Sequence, residues 1–150
     1  MTSIHTVNEM VNRLTQIGPL SVEAFADLLG ASLPVGDDND YWTFHPFALA
    51  VGPFGRGELR LSKAGNAALL ILEPADPPGL NEDELDTTGW GEAVNLAPNP
   101  HIPPEGTDTY EYDVNGVKTS VQWTHQSRRL RNLVLEWSPP PNPAVEVPPG

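Results

Sequence analysis

The chain has 150 residues and no cysteine, a size that fits one domain with its own buried core and a composition that excludes disulfides, thiolate metal sites and cysteine nucleophiles. Twenty Asp and Glu against eight Lys and Arg leave a net charge of −12. A surface of that sign repels phosphate backbones and anionic lipid, which makes nucleic acid and membranes poor direct partners and a basic protein a good one. The start, MTSIHTVNEMVNRL, lacks the basic region and apolar run of a signal peptide, and the longest apolar run, 67–72, is too short to cross a bilayer. The expected location is the cytoplasm.

Two short helices are expected first. Thr6 and Glu9 read as a capping box, and Val7, Met10, Val11, Leu14 and Ile17 recur on one helical stripe that Gly18-Pro19 ends. Ser21 is a good N-cap for a second helix, with Leu20 stapled onto Phe25, an apolar face of Phe25, Leu28 and Leu29, and Gly30 as its stop. The acidic loop 34–40 does not match a calcium-binding loop. It leads into Tyr41-Trp42-Thr43-Phe44, an aromatic strand that Pro46 makes irregular or an edge. Gly52, Pro53, Gly55 and Gly57 mark turns; 58–63 alternates as a half-buried strand; 67–72, apolar on both faces, reads as a central strand ended by Pro74.

Residues 74–106 are rich in proline and acid. From Ala64 to Val117 there are eleven Asp and Glu and no Lys or Arg. Within this stretch LNEDEL (80–85) spells a helix start, with Asn81 as N-cap, carboxylates in the first turn, Glu84 closing a capping box and Leu80 stapled to Leu85. That order gives each acid a structural task and removes the need for a catalytic one. It leaves Glu82, Asp83, Asp86 and Glu92 as an acidic patch, extended by Glu105 and Asp108, with Trp90 between two glycines as an aromatic anchor at its edge.

The clearest hairpin follows. Asn115-Gly116 separates two alternating runs, and a two-residue turn pairs Val114 with Val117, Tyr112 with Thr119 and Tyr110 with Val121 on one face, and Asp113 with Lys118 on the other. Residues 125–129 turn the chain, and 130–137 form a last strand with Leu133, Leu135 and Trp137 inward. Residues 138–150 read as an extended, solvated proline-rich tail. The fold class is therefore α+β: one domain over 1–137, two N-terminal helices on a mostly antiparallel sheet of about six strands, and a short helix in the acidic connection.

No motif names a reaction. His5, His45, His101 and His125 show no metal-ligand spacing, no serine sits in a nucleophile elbow, and the glycines at 52–57 form no phosphate loop. His45 suits a packed core position. His101 with Glu105 is the one acid/base pair that proximity in sequence suggests. Arg128, Arg129 and Arg131 form the one basic concentration, suited to balancing nearby acids. No cofactor and no metal is expected, and no catalytic residue is assigned.

In its segments IGPLSVEAFADLLG (17–30) and IPPEGTDTYEYDVNGV (102–117), and in its overall build, the chain resembles the immunity proteins of bacterial toxin systems. Those are small, acidic, cysteine-poor α+β proteins that bind and block a cognate toxin. The resemblance implies a non-catalytic inhibitor whose acidic face, carried by 81–92 and 105–113, occludes a basic cleft on its partner. The order of elements is also similar to type III secretion chaperones, which usually end in a long dimerising helix where this chain ends in a strand and a proline-rich tail. An enzyme with a dispersed site near His101, Glu105 and Trp90 is the remaining alternative.

Overall fold

The strongest local signals form the elements they predict. The structure is a computed structural model, and it describes residues 3–18, 20–49, 53–75, 79–82, 85, 87–96 and 106–137. Two helices, α1 (Ser3–Thr15) and α2 (Val22–Leu29), precede eight strands: β1 (Asp37–Asp38), β2 (Trp42–Ala48), β3 (Phe54–Ser62), β4 (Ala68–Pro74), β5 (Val94–Leu96), β6 (Thr107–Val114), β7 (Val117–Thr124) and β8 (Leu130–Trp137). The strands form one sheet in the order β1-β2-β3-β4-β8-β7-β6-β5, and every described pairing is antiparallel. The protein is thus α+β, built from two meanders, β1–β4 and β5–β8, joined where β4 meets β8.

The α1 stripe lies where its spacing places it: Val7, Val11 and Leu14 are buried, with Met10 and Ile17 packed beside them. Its start differs from expectation. The helix begins at Ser3, so Thr6 lies inside it and is not its N-cap. In α2 the Ser21 hydroxyl accepts the Ala24 N–H at 3.2 Å, and Gly30 closes the helix at φ +68. Phe25 is fully buried and meets Trp137 edge to face, 5.1 Å between ring centres. That contact fastens the helical layer to the middle of the sheet.

The hairpin has the register that its sequence dictates. Val114 pairs with Val117, Tyr112 with Thr119, Tyr110 with Val121 and Asp113 with Lys118. Asn115 and Gly116, both at positive φ, make the turn. Across the outer face Lys118 finds Glu111 at 3.8 Å and Glu136 at 3.9 Å, whereas Asp113 accepts the Gly116 N–H and braces the turn. Asn115 also donates to Thr15 at 2.9 Å, tying the tip of the hairpin to the end of α1.

The sheet is wider than the six strands expected. β1 and β5, with two and three residues, lie in stretches that read as loop and as acidic connection. Strands this short carry no periodicity, and their brevity leaves little exposed ladder for another chain to pair with. Pro46 sits inside β2, beyond the point where β1 ends, so its missing N–H faces an unpaired edge. His45 beside it is buried, with Nδ1 3.0 Å from the Leu33 carbonyl.

Gly55 and Gly57, expected to mark turns, belong to β3. At Gly57 the reason is space. A Cβ there would run into the Ile71 carbonyl oxygen of β4 and come within 2.7 Å of the Phe47 ring. The glycine lets β3 approach β4 beneath that ring. The tail, 138–150, lies outside the described residues, and among the described residues no helix is long and apolar enough to cross a membrane. Replacing Gly57 with alanine is expected to destabilise the fold by about 1–3 kcal/mol through overpacking. Urea unfolding followed by tryptophan fluorescence measures this, and an unchanged midpoint would show that the two strands can spread at no cost.

Candidate functional site

The connection after β4 leaves the centre of the sheet and must reach β5 at the far edge. Its first residues pair with the chain entering β8, and directly after Asn81 a 3-10 conformation begins at Glu82, whose carbonyl accepts the Leu85 N–H at 3.4 Å. Asn81 bridges Arg129 in antiparallel fashion, the Leu130 N–H donates to the Leu80 carbonyl at 2.8 Å, and the Glu82 N–H donates to the Arg128 carbonyl at 3.0 Å. The Leu80 carbonyl and the Glu82 N–H are thus both paired with the chain entering β8. Among the described residues of the connection, 3-10 conformation occurs at Glu82 and at Thr88–Trp90, and Leu85 lies between them. The apolar residues singled out at 80, 85 and 90 are all buried, and they hold the connection over the β6–β7–β8 part of the core.

Arg128 fixes this arrangement. Its backbone is left-handed at φ +54, which costs a residue with a side chain about 1 kcal/mol. Its guanidinium holds Glu82 with two nitrogens, at 2.8 and 3.3 Å, and Asp108 with a third, at 2.8 Å. It also lies 5.9 Å from the centre of the Tyr110 ring. Glu82 and these neighbours raise the Arg128 pKa further, so the cation is permanent. His125 completes the cluster, its Nδ1 2.9 Å from the same Asp108 oxygen. This hydrogen bond is the main reason the Asp108 carboxyl is held below the usual carboxylate range; partial burial opposes it, and the charges of His125 and Arg128 add to it.

Beside the clamp is a cleft of about 170 Å³ lined by Glu82, Leu85, Thr87, Tyr110, Tyr112 and Trp123. The β alternation puts Tyr110 and Tyr112 on one face of β6, and the Tyr112 hydroxyl donates to Thr87 at 3.2 Å. Its walls are aromatic, and Glu82, the one carboxylate of this lining, is already held by Arg128. The Asp108–His125 pair has the form of an oriented imidazole, but its carboxylate is shared with Arg128. The neighbouring hydroxyls of Thr124 and Ser127 contact each other and brace the turn. Among the described residues no three His, Asp or Glu groups converge as metal ligands.

Of the seven residues of the expected patch, Glu82, Trp90, Glu92 and Asp108 are described. Glu82 and Asp108 come together, but on Arg128, which occupies both carboxylates. Trp90 is no surface anchor: it is 7% exposed, and its ring meets Tyr112 edge to face at 5.4 Å. Its flanking glycines suggested exposure, whereas the 3-10 turn folds the indole inward. Glu92 is exposed. Asp83, Asp86, Glu105 and His101 lie outside the described residues. The basic cluster reads in sequence as balancing nearby acids, and Arg128 does so; His125 and the tyrosine pair carry no such reading, although tyrosines two apart on a strand share one face. No protein-family model, curated protein or solved structure matches this chain.

Arg128→Gln is expected to lower stability by about 1–3 kcal/mol, because it leaves two carboxylates without their cation. Chemical denaturation measures this, and hydrogen exchange is expected to rise first at Leu80–Glu82. His125→Ala has a distinguishable signature. The Asp108 pKa is depressed in the folded state, so its stabilisation is complete above the ordinary carboxylate pKa and disappears as pH falls through the depressed value. The variant is therefore expected to be less stable by about 1 kcal/mol near neutrality and to converge on the parent along the acid limb. A gap that stays constant with pH would assign His125 a packing role instead.

Proposed function

We propose that this is a non-catalytic binding protein that blocks a basic partner protein by covering it, as the immunity proteins of bacterial toxin systems do. The observation that carries this reading is electrostatic. Even if every Lys and Arg of the chain paired internally, an excess of 12 carboxylates would remain. A long stretch, 64–117, contributes eleven acids and no cation. The cations that reach this stretch come from outside it: Arg56 to Glu73, Arg128 to Glu82 and Asp108, and Lys118 to Glu111. A cationic surface would be steered to this stretch and neutralise it.

The clamp refines the expected acidic face. Glu82 and Asp108 hold the connection to the sheet, so docking falls to the other acids of the expected patch, Asp83, Asp86, Glu92 and Glu105. The cleft between Glu82 and the Tyr110, Tyr112 and Trp123 rings offers one arginine or lysine side chain of the partner an aromatic seat. The chain's last described element is a strand at the junction of the two meanders, which gives the chaperone alternative no dimerising helix to rest on.

Affinity capture with the intact chain is expected to recover a basic protein whose activity the purified chain suppresses. Affinity for it should fall steeply with salt. The double reversal Asp83→Lys/Glu92→Lys is expected to weaken that complex about tenfold or more, mainly through association rate, with little change in the melting temperature. Undiminished affinity in the double variant, or a salt-insensitive complex, would rule out the acidic-face model.

A further inference from the structure

Asn115-Gly116, the turn between β6 and β7, is the one place in the chain where glycine directly follows asparagine. In such a pair the backbone nitrogen of the glycine adjoins the carboxamide of the asparagine, and without a Cβ the glycine leaves that approach open. Both residues are exposed. They border a cleft of about 320 Å³ whose lining includes Asn12, Asp113 and Asn115. The nucleophile, the carboxamide and solvent water thus lie together at the tip of the hairpin.

Two hydrogen bonds restrain these groups. The Gly116 N–H donates to the Asp113 carboxylate at 2.9 Å, which keeps the proton on that nitrogen. The Asn115 side-chain nitrogen donates to the Thr15 hydroxyl at 2.9 Å, with the Asn12 side-chain oxygen 3.5 Å away. Thr15 is buried at the end of α1 and donates its own proton to the Val11 carbonyl at 2.8 Å. A hydroxyl carries one proton, so Thr15 meets Asn115 with a lone pair. The tie between α1 and the hairpin therefore requires an N–H donor at position 115. A carboxylate there would face the lone pairs of Thr15 and Asn12, two residues from the Asp113 carboxylate.

We propose that Asn115 is a deamidation site guarded by the docking of α1, and that its conversion unfastens α1 from the hairpin. The reaction requires the tip to lift from Thr15, a local opening that the fold samples at a free-energy cost. The Gly116 nitrogen then gives its proton to solvent and forms a bond to the Asn115 side-chain carbonyl carbon. The bond from that carbon to the side-chain nitrogen breaks, and the nitrogen leaves as ammonia with a proton from water. Water adds to one carbonyl of the resulting cyclic imide and opens it, leaving aspartate or isoaspartate and one added negative charge. Nothing is oxidised or reduced. The product has no N–H to offer Thr15, so the tie does not re-form and the release runs one way.

The test incubates the intact chain in mildly alkaline buffer at physiological temperature and follows each asparagine by peptide mass spectrometry, reading the exchange of NH2 for OH. Conversion is expected first at Asn115, with isoaspartate among the products. Thr15→Val removes the acceptor and is expected to speed it about two- to tenfold, the weight of one hydrogen bond in the opening step. Thr15→Ser keeps the hydroxyl and is expected to convert at the parent rate. If Thr15→Val does not fold, the parent chain in urea serves instead, and conversion about tenfold or more faster than in the native chain is expected, because no opening is needed. Asn115→Asp, the product itself, is expected to raise hydrogen exchange several-fold at Leu14 and Thr15. The proposal is overturned if Asn115 converts no faster than the other asparagines. It is overturned equally by a folded Thr15→Val that keeps the parent rate, by a Thr15→Ser that matches Thr15→Val, by equal rates in the native and the unfolded chain, or by unchanged exchange in Asn115→Asp.

Discussion

The fold depends on one non-local pairing, that of β4 with β8. Ala68–Leu72 runs antiparallel to Leu133–Trp137, and no other strand pair joins the two meanders. Across that seam the register aligns His45, Leu59, Leu70, Leu135, Thr119 and Tyr112 in one row on the core face. Leu59, Leu70, Leu135 and Thr119 in this row are fully buried. Because strand side chains alternate, a slip of one residue at the seam would turn the whole row outward. The register is therefore set by burial. The outward residues of β4, Leu69 and Ile71, are partly covered as well, which is why the strand is apolar on both faces.

The seam also determines the path of the acidic connection. A chain leaving β4 at the centre must reach β5 at the edge before it can return through β6 and β7 to form β8. The shortest route crosses the core side of the second meander, and Leu80, Leu85 and Trp90 fasten it there. The charges along this route cannot be buried without partners. Arg128 meets that requirement for Glu82 and Asp108, from the turn that leads into β8. The clamp thus ties the connection to the same strand that closes the sheet.

Charge is unevenly distributed on this frame. Arg56, Arg129 and Arg131 stand at the ends of β3 and β8, whereas the acid-rich stretch 64–117 includes β5 and β6. Along the strip Gly79–Glu82, Gly79 lies beside Arg129, Leu80 in the core and Glu82 in the clamp.

By itself the sequence determined whatever local interactions decide. The Asn-Gly turn and its flanking alternation set the hairpin register to the residue. Ser21 and Gly30 set the limits of α2, and the unbroken apolar run marked β4. Tertiary structure decided what depends on neighbours distant in the chain. LNEDEL carries the local marks of a helix start, and a 3-10 conformation begins at Glu82, but the pairing of Leu80 and Glu82 with the chain entering β8 comes from a strand distant in sequence. Gly57 looks like a turn until the Phe47 ring and the Ile71 carbonyl stand above it. Trp90 looks exposed until Tyr112 lies beneath it. Arg128 reads as a cation that balances acids, but which acids, forty-six and twenty residues away, is decided by the fold. Caps, turns and alternation act over a few residues, whereas clamps, close approaches and clefts require partners that only the closed sheet brings together.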